Sequence, residues 1–128
     1  MEVVMSEISV ITESVLLSIK KMLGLDKDYD VFDPELIIHI NTVFGTLHQL
    51  GVGPDEQFRI SGDLEVWSDF DTEGEQIDEV KTYIYLRVRL LFDPPSSSFV
   101  LSSFQEQLKE LEWRLNVKAD EIKGIEDE

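Results

Sequence analysis

Apolar residues recur at helical spacing in four stretches of this chain. Over residues 6–24, Ile8, Ile11, Val15, Ile19 and Met22 fall three or four apart, which predicts an amphipathic helix, and Gly24 suits a left-handed stop. Its β-branched residues weaken local propensity, so tertiary contacts have to hold it. A polar linker, DKDYDVF, follows. Asp33-Pro34-Glu35 then marks a helix start: Asp33 can cap, Pro34 fits the first helical position, and Glu35 favours the helix dipole. Leu36, Ile40, Val43, Leu47 and Leu50 form one stripe, Ile37 and Phe44 widen it, and Gly51 ends it.

Residues 76–92 carry two periods at once. Ile77, Val80, Ile84, Val88 and Leu91 share a helical face, yet Ile84, Leu86, Val88 and Leu90 also alternate with Tyr85, Arg87 and Arg89 as a strand would. A run this long without a breaker exceeds an ordinary strand, so length favours a helix. A helix apolar on nearly every side belongs at the centre of a bundle. Asp93-Pro94-Pro95 stops it, because proline disfavours helical geometry in the residue before it. Ser96, Ser97 and Ser98 offer caps for a last helix over 99–115, whose stripe is Leu101, Phe104, Leu108, Leu111 and Leu115. Two helices joined by so short a corner fold back as an antiparallel pair. From Val117 the polar, acidic segment VKADEIKGIEDE has only Ile122 and Ile125 as apolar anchors and is expected to be loose unless a neighbour holds it.

Charge changes the picture between the second and third helices. Residues 55–79 hold ten acids and one base, Arg59. Two short apolar pieces, 58–60 and 64–67, interrupt the acids. The stretch reads as a long connection with room for a short β-hairpin around Gly62, and connections this long are usually functional or poorly ordered. Phe58, Ile60 and Trp67 should turn inward to pin it, because so many acids cannot be buried without partners. The pattern therefore predicts a mainly α fold, a small bundle of about four helices with an acidic connection. It divides into a helical domain over 1–116 and an acidic tail over 117–128.

The whole chain has 128 residues, 27 acids against 11 Lys and Arg, and a formal charge of −16. Such a charge repels nucleic acid and anionic membranes. There is no cysteine, which excludes a disulfide scaffold and a thiolate metal site. No apolar run approaches a membrane span, and the acidic, base-free start does not resemble a signal peptide.

Candidate chemistry is sparse. DFDTEGEQIDEV, from Asp69, begins like an EF-hand loop, with oxygens at positions one, three and five and Gly74 at six. It then places Val80 where a bidentate Glu is required. His39 and His48 lie on roughly opposite faces of one helix and cannot share a metal there. GVGPDE lacks the basic residue of a phosphate loop, and no serine sits in a nucleophile elbow. No cofactor, metal or catalytic set is indicated, and the chain is not expected to be an enzyme. Arg87 and Arg89 sit beside Tyr83 and Tyr85, suited to internal ion pairs, stacking or an intersubunit pair. Trp67 and Trp113 suit core or interface anchors.

The blocks HINTVFGTLHQLGVGP, FRISG, WSDF, VKTYIYLRVRLLFDPPSSSFV and EWRLN, in that order over about 33–116, resemble the head–tail connector, or adaptor, proteins of long-tailed bacteriophages and prophages. The resemblance implies a small helical virion protein that forms a ring, typically of twelve copies. Such a ring docks beneath the portal after DNA packaging, extends the DNA channel and receives the stopper or tail. Its place would be the virion neck, after assembly in the host cytoplasm. Expected partners are further copies of itself, the portal, a stopper or tail-completion protein, and DNA passing without specific binding. Candidate interface residues are Arg87, Arg89, Phe99, Leu101, Phe104, Leu108, Leu111, Trp113 and Leu115. Asp69, Asp71, Glu73 and Glu75 are candidates for a channel-facing or solvent-facing acidic surface. A tail-terminator or stopper protein of the same neck is the nearest alternative. An acidic DNA mimic and a calcium-dependent binding module are the alternatives from other classes.

Overall fold

The computed structural model describes residues 11–72 and 74–127. The elements are α1 (Val15–Met22), α2 (Asp33–Gln49), the single turn α3 (Trp67–Phe70), α4 (Ile77–Phe92) and α5 (Ser98–Asp127). Among the described residues there is no strand, only a lone antiparallel bridge between Ser14 and Val66. The mainly α expectation holds.

α4 is the central helix, as its nearly all-round apolar surface requires. It packs against α1, α2 and α5. Ile77, Val80, Tyr83, Ile84, Leu86 and Val88 are buried, whereas Leu91, on the same predicted stripe, is exposed next to the corner. α2 supplies Leu36, Ile40, Val43, Phe44 and Leu47 to this core, and α1 supplies Val15, Leu16 and Ile19. At about 25 cal/mol per Å2, each fully buried side chain of this kind contributes about 1.5–3 kcal/mol.

Both glycine stops form as predicted. Val52 N–H donates to Leu47 O (2.9 Å) and Gly51 N–H to His48 O (3.0 Å), with Gly51 at φ 83°. Leu25 to Lys20 (2.9 Å) and Gly24 to Lys21 (3.0 Å) repeat the arrangement after α1, with Gly24 at φ 82°. Each is the paired 6→1 and 5→2 bonding that satisfies orphan carbonyls at a helix end.

Four expectations need correction. The first helix is not continuous through its predicted span: α1 starts at Val15, because extended Ser14 (ψ 133°) caps it and receives the Leu17 N–H on its hydroxyl (3.3 Å). Ile8 and the predicted start at Ser6 lie outside the described residues. Asp33 is not the cap of α2; Phe32 holds that position without a side-chain bond, and Asp33 instead pairs with buried Lys20 (2.9 Å). The hairpin around Gly62 does not form, since the backbone on either side is engaged by the Asn41 side chain of α2 and by the backbone of Glu13 and Val15. Finally, α5 does not stop at Leu115. It continues through the segment expected to be loose, because Ala119 is buried and Asn116 Nδ2 donates to Leu50 O (3.0 Å) at the end of α2. The distal turns are thus held on the subunit itself.

The DPPSSS corner does return the chain antiparallel. Contacts run from Arg89 with Phe104 to Tyr83 with Glu112, so partner numbers rise as α4 numbers fall. Ser97 opens α5, with its hydroxyl receiving Val100 N–H (3.4 Å) and its carbonyl receiving Leu101 N–H (3.0 Å).

Candidate functional site

Two regions hold the candidate residues: the acidic connection and the α4–α5 pair. The connection lies over the body, fastened at three places. Phe58 meets Phe44 edge-on, ring centroids 4.8 Å apart, and Phe70 at 5.7 Å. Ile60 is buried, and both its backbone polar groups are met by one side chain. Asn41 Nδ2 donates to Ile60 O (2.9 Å), while Ile60 N–H donates to Asn41 Oδ1 (2.8 Å). The amide of α2 therefore does for Ile60 what a neighbouring strand would do. Trp67 is fully buried; its indole N–H donates to Ser18 Oγ (3.0 Å), and the Ser18 hydroxyl in turn is 2.7 Å from Ser14 O. Backbone bonds from Val15 to Glu65 O and from Trp67 to Glu13 O complete this junction. The inward turn expected of Phe58, Ile60 and Trp67 is observed.

The acids of the connection divide by role. Asp55, Glu56, Asp63, Glu75 and Asp78 are exposed. Asp69, also exposed, has a structural task, because its Oδ2 accepts the Val66 N–H (2.9 Å) at the start of α3. Glu65 accepts the Ser61 N–H (2.8 Å) and hydroxyl (3.0 Å). Burial pushes its carboxyl pKa upward, but hydrogen bonds from the Glu65, Ser61 and Gly62 backbone and the Ser61 hydroxyl outweigh this and hold it below the usual value. Asp71 is partly buried, and Glu73 lies outside the described residues.

In the α4–α5 pair, Leu108 and Leu115 are in the subunit core, with Phe104 and Leu111 against it and Leu101 partly buried. Tyr83 O–H donates to Glu112 Oε2 (2.7 Å); burial first, and that carboxylate second, push the phenol well above its ordinary pKa. Arg87 Nη1 lies 4.0 Å from the same carboxylate oxygen and stacks over Tyr83. Arg89 donates to Asp93 O (2.7 Å) and Tyr85 Oη (3.1 Å) and lies over Phe104. Both arginines are engaged within the subunit. Phe99 and Trp113 point away from it, 82% and 68% exposed. The nine candidate interface residues therefore separate into an inner set that joins α5 to α4 and two large outward aromatics.

Sequence reasoning missed Asn41, Lys20 and Glu112, the polar residues that hold these regions in place. Asn41 had a signal, since it lies four residues after Ile37 and three before Phe44, inside the widened apolar stripe. Among the described residues no group of three His, Asp or Glu could hold a metal ion, and no helix is long and apolar enough to cross a membrane. His39 lies 3.4 Å from Glu35 Oε1, and His48 is exposed.

No curated protein and no solved structure matches the chain. Against models of protein families, residues 15–122 match that of the phage connector protein. The match begins at the first residue of α1, includes both pinned ends of the acidic connection and the proline corner, and runs into the distal turns of α5. It is wider than the 33–116 span of the sequence resemblance, and with it the chain belongs to the phage connector protein family.

Proposed function

We propose that this connector forms a ring adaptor, of about twelve copies as the resemblance implies, between the portal and the stopper or tail. The ring extends the DNA channel after packaging, takes no part in catalysis, and is added to the head in the host cytoplasm before residing in the virion neck. The family match over 15–122 carries the reading. The rest of the molecule is consistent with it. Tyr83, Arg87, Arg89 and Glu112 are engaged within the α4–α5 pair, and the exposed acids of the connection suit a conduit that must not grip DNA. At −16 per subunit, a ring repels the phosphate backbone at short range, with screening beyond about 8 Å at physiological salt. Residues 1–116 form the connector body in this proposal. The acidic segment from 117 remains on that body through Ala119 and offers Asp120 and Glu121 outward.

Copy number in purified virions tests the proposal. Mass spectrometry and imaging of the particle should find the chain at the neck in a small fixed multiple. Its absence from virions, together with a soluble host partner, would support the DNA-mimic alternative instead. The channel role of the acids has its own test. Asp55, Glu56, Asp63 and Glu75 can be changed to Asn or Gln without removing a bond described above, unlike Asp69. Such particles should assemble and then retain or eject DNA abnormally, in a salt-dependent way. Normal DNA handling at every ionic strength would leave these acids as a solvated surface only.

A further inference from the structure

We infer that neighbouring copies join through two different surfaces: the outward face of α5 on one subunit and the groove beside α1 on the next. This deepens the ring proposal and rests on it. At 3.6 residues per turn, Phe99, Glu106, Glu110, Trp113 and Val117 fall within about 60° of arc, opposite the buried Leu108 and Leu115. Phe99, Glu106, Glu110 and Trp113 are exposed, and Asp120 and Glu121 flank the same strip. Two bases border it on opposite sides, Lys109 and Arg114, and Arg114 is already paired with Glu110 at 2.6 Å. The face is therefore two large aromatics among net acidic neighbours. It is not used by the subunit's own core, and a chain this acidic cannot pair it with most of its surface.

One surface of the chain has the complementary chemistry. A groove of about 390 Å3 runs beside α1 over Leu17, Leu25, Ser14 and Ser18, with Lys21 and Lys27 on its rim and one acid, Glu13, which is paired with Lys81 at 3.6 Å. Both lysines are exposed, and neither is ion-paired among the described residues. With only 11 Lys and Arg in the chain, two cations against one carboxylate leave this apolar-floored groove net positive in a molecule of −16. An aromatic on an acidic helix face fits such a groove in shape and sign. α1 and α5 both pack on α4 with few contacts between them, so one subunit presents both surfaces at once. A contact between unlike surfaces repeats head to tail and closes into a ring where its rotation permits, whereas like-with-like contact stops at a dimer.

Absence of native cysteine makes the test clean. Full-length Leu17→Cys and Trp113→Cys variants, each checked for helicity by circular dichroism, are concentrated separately and together under mild oxidation. The expected result is a disulfide between unlike variants at least tenfold more abundant than either like pair. Equal yields, a dominant Trp113→Cys self-pair, or no cross-link overturns the inference. A second measurement uses exposed charges alone, in particles. Lys21→Glu/Lys27→Glu and Glu106→Lys/Glu110→Lys should each deplete the chain from necks, and the four changes together should restore it. Necks filled normally by both double variants would overturn the surface assignment while leaving the ring proposal intact. Wild-type chain absent from necks would remove both.

Discussion

Replacing Asn41 by Leu should free the acidic connection from the helical body. The two side chains have similar volume, so the main loss is hydrogen bonding. Asn41 satisfies both the N–H and the C=O of Ile60, at 2.8 and 2.9 Å, in a site where both residues are buried. A buried backbone group left without a partner costs about 1–3 kcal/mol. Two such groups give about 3 kcal/mol, allowing for some entry of water as the segment lifts. For a domain of this size that lowers Tm by roughly 10 °C. Urea unfolding followed by helical circular dichroism measures the loss, and hydrogen exchange locates it. Amides over 58–66 should lose protection before those of α4. Asn41→Asp sharpens the argument. The introduced carboxylate can still accept from Ile60 N–H, but it places charge against Ile60 O, so its pKa rises in the folded state. Once protonated it can donate to that oxygen. The variant's deficit should therefore be largest above the folded pKa and shrink as pH falls through it. A loss below about 0.5 kcal/mol for Asn41→Leu, or a pH-independent deficit for Asn41→Asp, would refute the bidentate role.

Three further outcomes follow from the same geometry. Lys20, fully buried, is 2.9 Å from Asp33 Oδ1 and donates to Lys27 O (3.1 Å) and Tyr29 O (2.8 Å); Lys20→Met should cost about 3 kcal/mol in urea unfolding, the low end for a broken buried pair because Asp33 is 26% exposed. Gly53 has φ 100°, and a Cβ there would lie 2.4 Å from Phe70 Cε2, so Gly53→Ala should cost about 2–4 kcal/mol, while Gly62→Ala, with open space around it, should be near neutral by the same measurement. The lowered Glu65 carboxyl contributes stability that is fully present above its ordinary value of 4.5 and is lost as pH falls through the lower folded value; Glu65→Gln should flatten this acid limb of the stability–pH curve.

The helices were legible where periodicity and punctuation agreed. Gly24, Gly51 and Pro94-Pro95 stop the chain where they stand, and α4 reads as central because apolar residues surround it. Legibility failed where the deciding partner was distant in sequence. Nothing near Ser14 says that Val66 will bridge to it, so the break before α1 was invisible. Nothing near Asp33 shows that Lys20 takes its carboxylate from the capping role. The distal turns of α5 read as loose because their composition is polar, but Ala119 needs only a small contact surface and found it beside Gly51, just past the end of α2. For the candidate interface, the stripe from Leu101 to Leu115 had the spacing of a seam, and spacing alone does not say whether the seam is internal. The helical hairpin made it internal, leaving the outward aromatics Phe99 and Trp113 as the exposed remainder.

The bridge between Ser14 and Val66 has a consequence for the order in which this chain comes together. Closing a loop costs about (3/2)RT ln n, so joining residue 14 to residue 66 is about 2 kcal/mol harder than turning a corner of about five residues such as DPPSSS. The α4–α5 hairpin rewards its closure at once with a continuous apolar seam. The Ser14–Val66 clasp gains most once α1 and α4 have met, because Trp67 lies buried with Lys81 of α4 over its ring and its indole bonds the Ser18 hydroxyl of α1. The clasp is therefore expected to form late in folding and to open early in unfolding, which hydrogen exchange at Val15 and Trp67 would show as protection lost ahead of α4. A nascent chain can acquire its helical body first and receive its acidic cover last.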